Sequence, residues 1–125
     1  MEGYKATIAR ASMELNAKQK IAYKNTTDCV SLDDATKDSP VLINVDGYVV
    51  LNIHNEKSDN KDYTKYIIID KDGTRYQTGS ESFWTAFLDI YEEMVDAGET
   101  DFSVKVFRMP SKNYAGRDFL TCSII

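Results

Sequence analysis

One stretch of this chain has clear helical periodicity, and strand-like segments lie on both sides of it. The stretch begins near Ser80 or Ser82, either of which can cap a helix, and it stops naturally at Gly98. Its apolar stripe is broad enough to pack one face against a core, and it consists of Trp84, Phe87, Leu88, Tyr91, Met94 and Val95. The order of elements therefore limits the fold to a mainly β architecture with a helix late in the chain.

The same stretch separates the charges of the chain. From Glu81 to Thr100 it carries six acids and no Lys or Arg, namely Glu81, Asp89, Glu92, Glu93, Asp96 and Glu99. The chain is at −5 overall and this stretch at −6, which leaves the remaining residues at +1. Plain solvation accounts for such an acidic helix face, and a binding role is the alternative. The positive charges lie in the strand-like segments, together with most tyrosines.

Alternating apolar and polar side chains predict the strands. The predicted strands are a first one around Tyr4–Ile8, a second around Lys20–Lys24, a β-branched run over Val41–Ile53, a pair over Tyr63–Asp70 and Thr74–Thr78, and a final hairpin over Phe102–Met109 and Arg117–Ile125. Residues 25–40 are polar and rich in turn formers, and they are predicted to be a loop.

Asp46-Gly47 interrupts the β-branched run, and two interpretations remain open. Asp-Gly between apolar runs is typical of a hairpin with a tight turn. One long strand, bent at a bulge on Gly47, is the alternative.

This order of elements is that of the OB-fold, a five-stranded Greek-key barrel with its helix between the third and fourth strands. At 125 residues the chain is long enough for one domain with its own core, so a single OB-like nucleic-acid-binding domain over residues 1–125 is predicted. Cys29 and Cys122 are far apart in sequence and are expected to be free thiols. No leader or membrane-length apolar run is present, so a cytoplasmic protein is expected, in a bacterial host.

The residues that catalysis requires do not form a recognisable pattern. His54 is the only histidine, so a zinc site lacks regularly spaced ligands. Asp70-Lys71-Asp72-Gly73 hints at a calcium loop, but its glycine comes at the fourth position instead of the sixth, and a hairpin turn is the better interpretation. The chain is therefore predicted not to be an enzyme and to use no metal or cofactor.

Aromatic and basic side chains coincide on the strand-like segments. The predicted phosphate-binding cations are Lys18, Lys20, Lys24, Lys65, Arg75, Lys105, Arg108, Lys112 and Arg117. The rings next to them are Tyr63, Tyr76, Phe107, Tyr114 and Phe119. A ring can stack on a nucleobase while a neighbouring cation meets the phosphate, so the combination predicts binding of a single-stranded nucleic acid.

The order of segments also resembles a known family, the small single-stranded DNA-binding proteins of protein-primed Bacillus phages. The resemblance covers nearly the whole chain and rests on Tyr4-Lys5-Ala6-Thr7, Lys18-Gln19-Lys20-Ile21, the run from Val41, Ile69-Asp70-Lys71-Asp72-Gly73-Thr74-Arg75-Tyr76, the helix after Ser80, Phe102-Ser103-Val104-Lys105-Val106 and Gly116-Arg117-Asp118-Phe119-Leu120.

The resemblance implies an OB-like barrel that coats exposed single strands during phage replication without catalysis, metal or nucleotide. It implies tyrosines against the DNA, with Tyr76 at a matching position and Tyr48, Tyr63 and Tyr66 as further candidates. It also favours one continuous strand across Asp46-Gly47. The expected partners are single-stranded DNA and replication proteins, with no membrane and no small-molecule substrate. The rival hypothesis is a small phage-type protein that inhibits a host enzyme through its acidic helix.

Overall fold

The computed structural model describes residues 3–111 and 118–125, which are mainly β. Its elements in chain order are β1 (Tyr4–Ala11), α1 (Ala17–Lys24), β2 (Val30–Ser31), α2 (Leu32–Ala35), β3 (Val41–Asn55), β4 (Asp62–Asp70), β5 (Arg75–Thr78), α3 (Glu81–Asp96), β6 (Ser103–Pro110) and β7 (Asp118–Ile124). The expectation of a single helix is wrong, because the described residues contain three.

Two compact units make up the chain. Unit 1 holds the described residues up to Val30 together with Asp46–Gly79, and unit 2 holds Ser31–Val45 and the described residues from Ser80 to Ile125. Strand β3 contributes to both, since its first residues belong to unit 2 and the rest to unit 1. The single domain over 1–125 stays a prediction.

The predicted second strand is instead helix α1, and this prediction was wrong. A capping box begins the helix: Asn16 Oδ1 accepts from the Gln19 N–H at 2.9 Å, and Gln19 Oε1 accepts from the Asn16 N–H at 2.9 Å. The helix formers Ala17, Lys18 and Gln19 follow the cap. Residues 25–40 also depart from the predicted loop, because they contain β2 and the short helix α2, which Ser31 caps.

In unit 1, β5, β4 and β3 lie side by side and β1 pairs with β3. The β1–β3 pair is antiparallel, with Tyr4 opposite Asn55 and Ala11 opposite Val49. One face of these strands forms a buried core of Val49, Leu51, Ile53, Ile67 and Ile69. The alternation of β1 is as predicted, since Tyr4, Ala6 and Ile8 pack on this core.

Strand β3 runs without a break through Asp46-Gly47, so the continuous strand is confirmed and the hairpin is excluded. Gly47 does not have a positive φ angle. It is needed for space, because a Cβ at this position would meet the Met13 side chain and the Ser12 hydroxyl. The predicted turn at 71–73 is confirmed, with Gly73 at a φ of +92° between β4 and β5.

In unit 2, the first residues of β3 pair with β6, and β6 pairs with β7. Helix α3 begins at Ser80, one of the two predicted caps, and packs against β7. Ser82, the other predicted cap, donates its hydroxyl to the Leu120 carbonyl at 2.8 Å. Phe83 and Phe87 are fully buried with their ring centroids 5.7 Å apart.

The inner face of the β6–β7 pair carries Val104, Val106, Leu120 and Cys122, which are all buried. This confirms the alternation predicted for both strands. Ile124, at the end of β7, is exposed. Both cysteines are free, as expected, and burial raises the pKa of Cys122 to about 12.

Candidate functional site

Arg75 fixes the end of helix α1 against the sheet of unit 1. Its Nη1 donates to the Ala22 carbonyl at 2.8 Å and to the Asn25 carbonyl at 3.3 Å. Its guanidinium also lies over the Tyr23 ring, 5.9 Å from the centroid. Because the last carbonyls of a helix lack partners within it, a guanidinium at this end is favourable and holds the Tyr23 ring in place.

Three tyrosines lie around this arrangement on the same face of the sheet. Tyr4, Tyr23 and Tyr63 all pack against the buried core of unit 1, and each remains only half-buried. Burial, followed by the neighbouring Tyr63, raises the pKa of Tyr4, so these two rings lie close together. Each tyrosine therefore has an apolar support and stays partly accessible, and the Arg75 guanidinium lies over the Tyr23 ring.

Two lysines join the rings on this face. Cys29 packs on the same core, and burial raises its pKa while Arg75 and Lys65 lower it, so both cations lie near its thiol. Asp28 raises the pKa of that thiol. Lys24 lines a cavity of about 240 Å³ together with Tyr4 and residues 25–27. We call Tyr4, Tyr23, Tyr63, Lys24, Lys65 and Arg75 the aromatic face.

The aromatic face contains four of the predicted site residues, Tyr63, Lys24, Lys65 and Arg75. Tyr4 and Tyr23 were not predicted. Tyr23 was missed because it was assigned to a strand, whereas helical spacing from the Asn16 cap would have drawn attention to the end of α1. The alternation around Tyr4 was visible, but it does not reveal which residues lie next to it.

The other predicted tyrosines lie elsewhere in unit 1. Tyr48 and Tyr66 are only 4% and 7% exposed, so their rings are not accessible for stacking in this conformation. Tyr76 is half-buried on the opposite side of β5 from Arg75, because it pairs with Ile68. Burial, followed by Asp70 and Asp72, raises its pKa, so acids lie near this ring. The negative charges of these acids do not favour the binding of a phosphate beside Tyr76.

The remaining cations do not converge on one surface. Lys18 and Lys20 are exposed on α1, which is a helix and not the predicted strand. Arg108 is half-buried and donates to the Asp33 carbonyl and, at 3.2 Å, to the Thr36 hydroxyl, so it holds α2. Lys105 lies over the Phe107 ring at 5.7 Å on unit 2, where Phe119 is also exposed. The predicted Lys112, Tyr114 and Arg117 lie outside the described residues.

His54 takes part in a network of charged side chains at one end of β3. Its Nδ1 is 2.7 Å from Asp62 Oδ1, and its Nε2 is 2.6 Å from Glu56 Oε1. Lys61 Nζ lies 3.2 Å from Glu56 Oε2. Hydrogen bonds to the two carboxylates, with Asp62 the stronger influence, raise the pKa of His54. These residues fix the loop between β3 and β4, and a groove of about 430 Å³ lies beside them.

Within residues 3–111 and 118–125, no group of three or more His, Cys, Asp or Glu side chains is arranged to hold a metal ion. None of the helices in this part of the chain has the length and apolar character needed to cross a membrane. A comparison with protein-family models, with curated proteins and with solved structures finds no match to this chain.

Proposed function

We propose that this chain is a sequence-independent single-stranded DNA-binding protein that coats and protects exposed strands during the replication of a phage or mobile element. The observation that carries the proposal is the aromatic face, on which three half-buried tyrosine rings and three cations lie together beside a cavity. Nucleobases stack on such rings regardless of sequence, at about 1–3 kcal/mol per base, while the cations neutralise phosphates.

The order of strand pairing supports an OB-like domain as the scaffold. Strand β3 neighbours β4 and β4 neighbours β5, helix α3 follows, β6 pairs with β3, and β7 pairs with β6. Taken as the five strands of a Greek key, β3 to β7 have their helix between the third and fourth, which is the order of the OB-fold. Strand β1 and helix α1 then precede this scaffold and supply Tyr4, Tyr23 and Lys24 to the aromatic face.

The test is a titration of fluorescently labelled oligo-dT, followed by anisotropy at low and moderate salt. We expect Tyr23→Leu to weaken binding by about 1–3 kcal/mol, because it removes one stacking ring. Tyr23→Phe is the matched control, since it keeps the ring and should bind like the natural chain. If neither salt nor Tyr23→Leu changes the affinity, or if the natural chain does not bind oligo-dT, the proposal is wrong.

The acidic helix supports a second candidate, inhibition of a host enzyme by protein–protein contact. The six acids from Glu81 to Glu99 are all exposed, and the last turn of α3 contains no basic residue to balance the helix dipole. Charge reversal at Asp89 and Glu93 distinguishes the two functions. An inhibitor would lose its effect, whereas a DNA-coating protein would bind a short oligo-dT, which accommodates a single copy, at least as well.

A further inference from the structure

Unit 2 has a solvent-facing sheet surface that the proposed DNA site does not use. Strand register aligns its side chains, because Leu42 is opposite Lys105 and Met109 is opposite Phe119. Leu42, Met109 and Phe119 are 63%, 43% and 39% exposed, and Phe107 is half-buried between them. We call these five residues the outer face. Contiguous exposed apolar side chains of this kind mark interaction surfaces more often than plain solvent surface.

The outer face carries one positive charge. Lys105 is the one charged residue of the five, and its ammonium group lies over the Phe107 ring. Phe107 also lines a cavity with Lys37, Asp38, Arg108 and Asp118, whose two positive and two negative charges cancel. The opposite face of the same strands is buried beneath helix α3, which packs on β7. An apolar surface with one positive charge fits a partner that offers apolar contact and negative charge.

Helix α3 offers such a surface on the other side of unit 2. Asp89, Glu93 and Asp96 follow one another at helical spacing, and all three are exposed. Val95 beside them is also 50% exposed. Acids near the C-terminal end of a helix interact unfavourably with its dipole, so this acidic stripe lowers the stability of its own helix.

We infer that copies of this chain bind one another head to tail, with the outer face of one copy against the acidic stripe of the next. The two surfaces differ and lie on opposite sides of unit 2, so the contact is heterologous, and contacts of this kind continue into open chains unless a rotation closes them. The contact itself does not require nucleic acid. Its use in cooperative coating of a strand rests on the proposed function.

Complementary charge changes test the contact in sedimentation velocity without DNA. We expect Lys105→Glu, and separately the double variant Glu93→Lys with Asp96→Lys, to weaken self-association by about tenfold or more, because each places like charges opposite each other. An equal mixture of the two variants should associate again, since opposite charges then meet where the two variants touch. Lys57→Glu, on the exposed loop of unit 1, is the control for the charge change and should associate like the natural chain.

Other partners give different results. In an outer-face-to-outer-face dimer, Lys105→Glu would still weaken self-association, but the helix variant on its own would self-associate like the natural chain. Natural association of the helix variant therefore overturns the inference. A natural chain that remains monomeric at high concentration in the absence of DNA also overturns it.

Affinities for short and long oligo-dT distinguish a contact between copies from a contact of the outer face with DNA. If copies contact each other, Lys105→Glu should bind an oligo-dT that accommodates one copy like the natural chain, and should lose affinity only on long strands. Equal loss on both lengths would assign the outer face to DNA and would overturn the inference. Failure of the natural chain to bind either length would contradict the proposed function, while the sedimentation result would still stand.

Discussion

At the scale of single residues, Gly47 lies where β3 passes close to the segment after β1. The Ser12 hydroxyl accepts from the Tyr48 N–H at 2.8 Å, and the Ser12 N–H donates to the Tyr48 carbonyl at 3.0 Å. These bonds hold Ser12 and Met13 against Gly47, where any Cβ would meet them. The requirement for glycine is therefore one of space and not of backbone conformation.

Gly47→Ala should destabilise the fold by about 1–3 kcal/mol, because the added methyl group must displace packed neighbours. Gly79→Ala is the matched control. Its Cβ would meet only the Thr64 carbonyl at 3.6 Å, an ordinary contact, so little loss is expected. Urea unfolding of both variants measures the difference, and equal stability of the two would contradict this account of Gly47.

His54 should make stability depend on pH near neutrality. The pKa of His54 in the folded chain lies above the ordinary value of about 6.5. Its contribution to the free energy of unfolding is therefore fully present below the ordinary pKa and is lost as pH rises through the raised pKa. Glu56 works in the opposite direction. Its pKa is lowered, chiefly by the hydrogen bond to His54, so its contribution is lost as pH falls through that lowered pKa.

Thermal unfolding of the natural chain and of His54→Gln, across a pH range of about 5.5 to 8.5 around the ordinary histidine pKa, checks this expectation. The natural chain should lose stability towards the alkaline end, and His54→Gln should be flat by comparison, because the chain has no other histidine. Parallel pH profiles for the two proteins would show that the two carboxylate contacts do not contribute.

At the scale of elements, the two longer helices differ in how their ends are satisfied. Helix α1 has a complete capping box at its start and Lys24 in its last turn, which suits the dipole. Helix α3 has Glu81 in its first turn but no base in its last. At the C-terminal end of α3, the surface charges therefore lower the stability of the helix.

Asp96→Lys should stabilise the fold by about 0.3–1 kcal/mol, because it replaces an unfavourable charge at the helix C-terminus with a favourable one. Asp89→Lys makes the same charge change in the middle of the helix, away from the terminal turn, and should change stability less. Urea unfolding at low salt compares the two variants. If both shift equally, overall charge and not the dipole is responsible.

At the scale of the whole molecule, the net charge of −5 does not describe the local charge of the surface that a nucleic acid would contact. The acids of α3 lie on unit 2, whereas Lys24, Lys65 and Arg75 lie together on unit 1. A polyanion binds where cations are grouped, and the released counterions make its affinity depend on salt.

Lys65→Gln should therefore reduce the slope of the logarithm of affinity against the logarithm of salt concentration by about 0.7, the contribution of one phosphate contact on a single strand. Lys57→Gln, on the exposed loop between β3 and β4, should leave the slope unchanged. Anisotropy titrations of oligo-dT over a series of salt concentrations give the slopes. An unchanged slope for Lys65→Gln would remove this lysine from the proposed phosphate path.

Local sequence signals predicted much of the fold and four residues of the candidate site. The alternation of β6 and β7, the turn at Gly73 and the Ser80 cap each depend on neighbouring residues, and each is confirmed. The strand predicted around Ile21 failed because two alternating apolar residues fit a strand and a helix surface equally well, and Ile21 is in fact 71% exposed on α1. The Asn16 and Gln19 cap was the stronger local signal.

Short-range patterns in the chain were enough to predict most of the strands, the acidic helix and the separation of charge, because periodicity, caps and turn residues act over a few neighbours. Which rings are accessible depends instead on how distant segments pack in the folded chain. It buries Tyr48 and Tyr66, and it brings Tyr4, Tyr23 and Tyr63 from three distant segments onto one face. Strand pairing and the docking of α1 through Arg75 produce that arrangement, and such long-range contacts leave no periodic trace in the sequence.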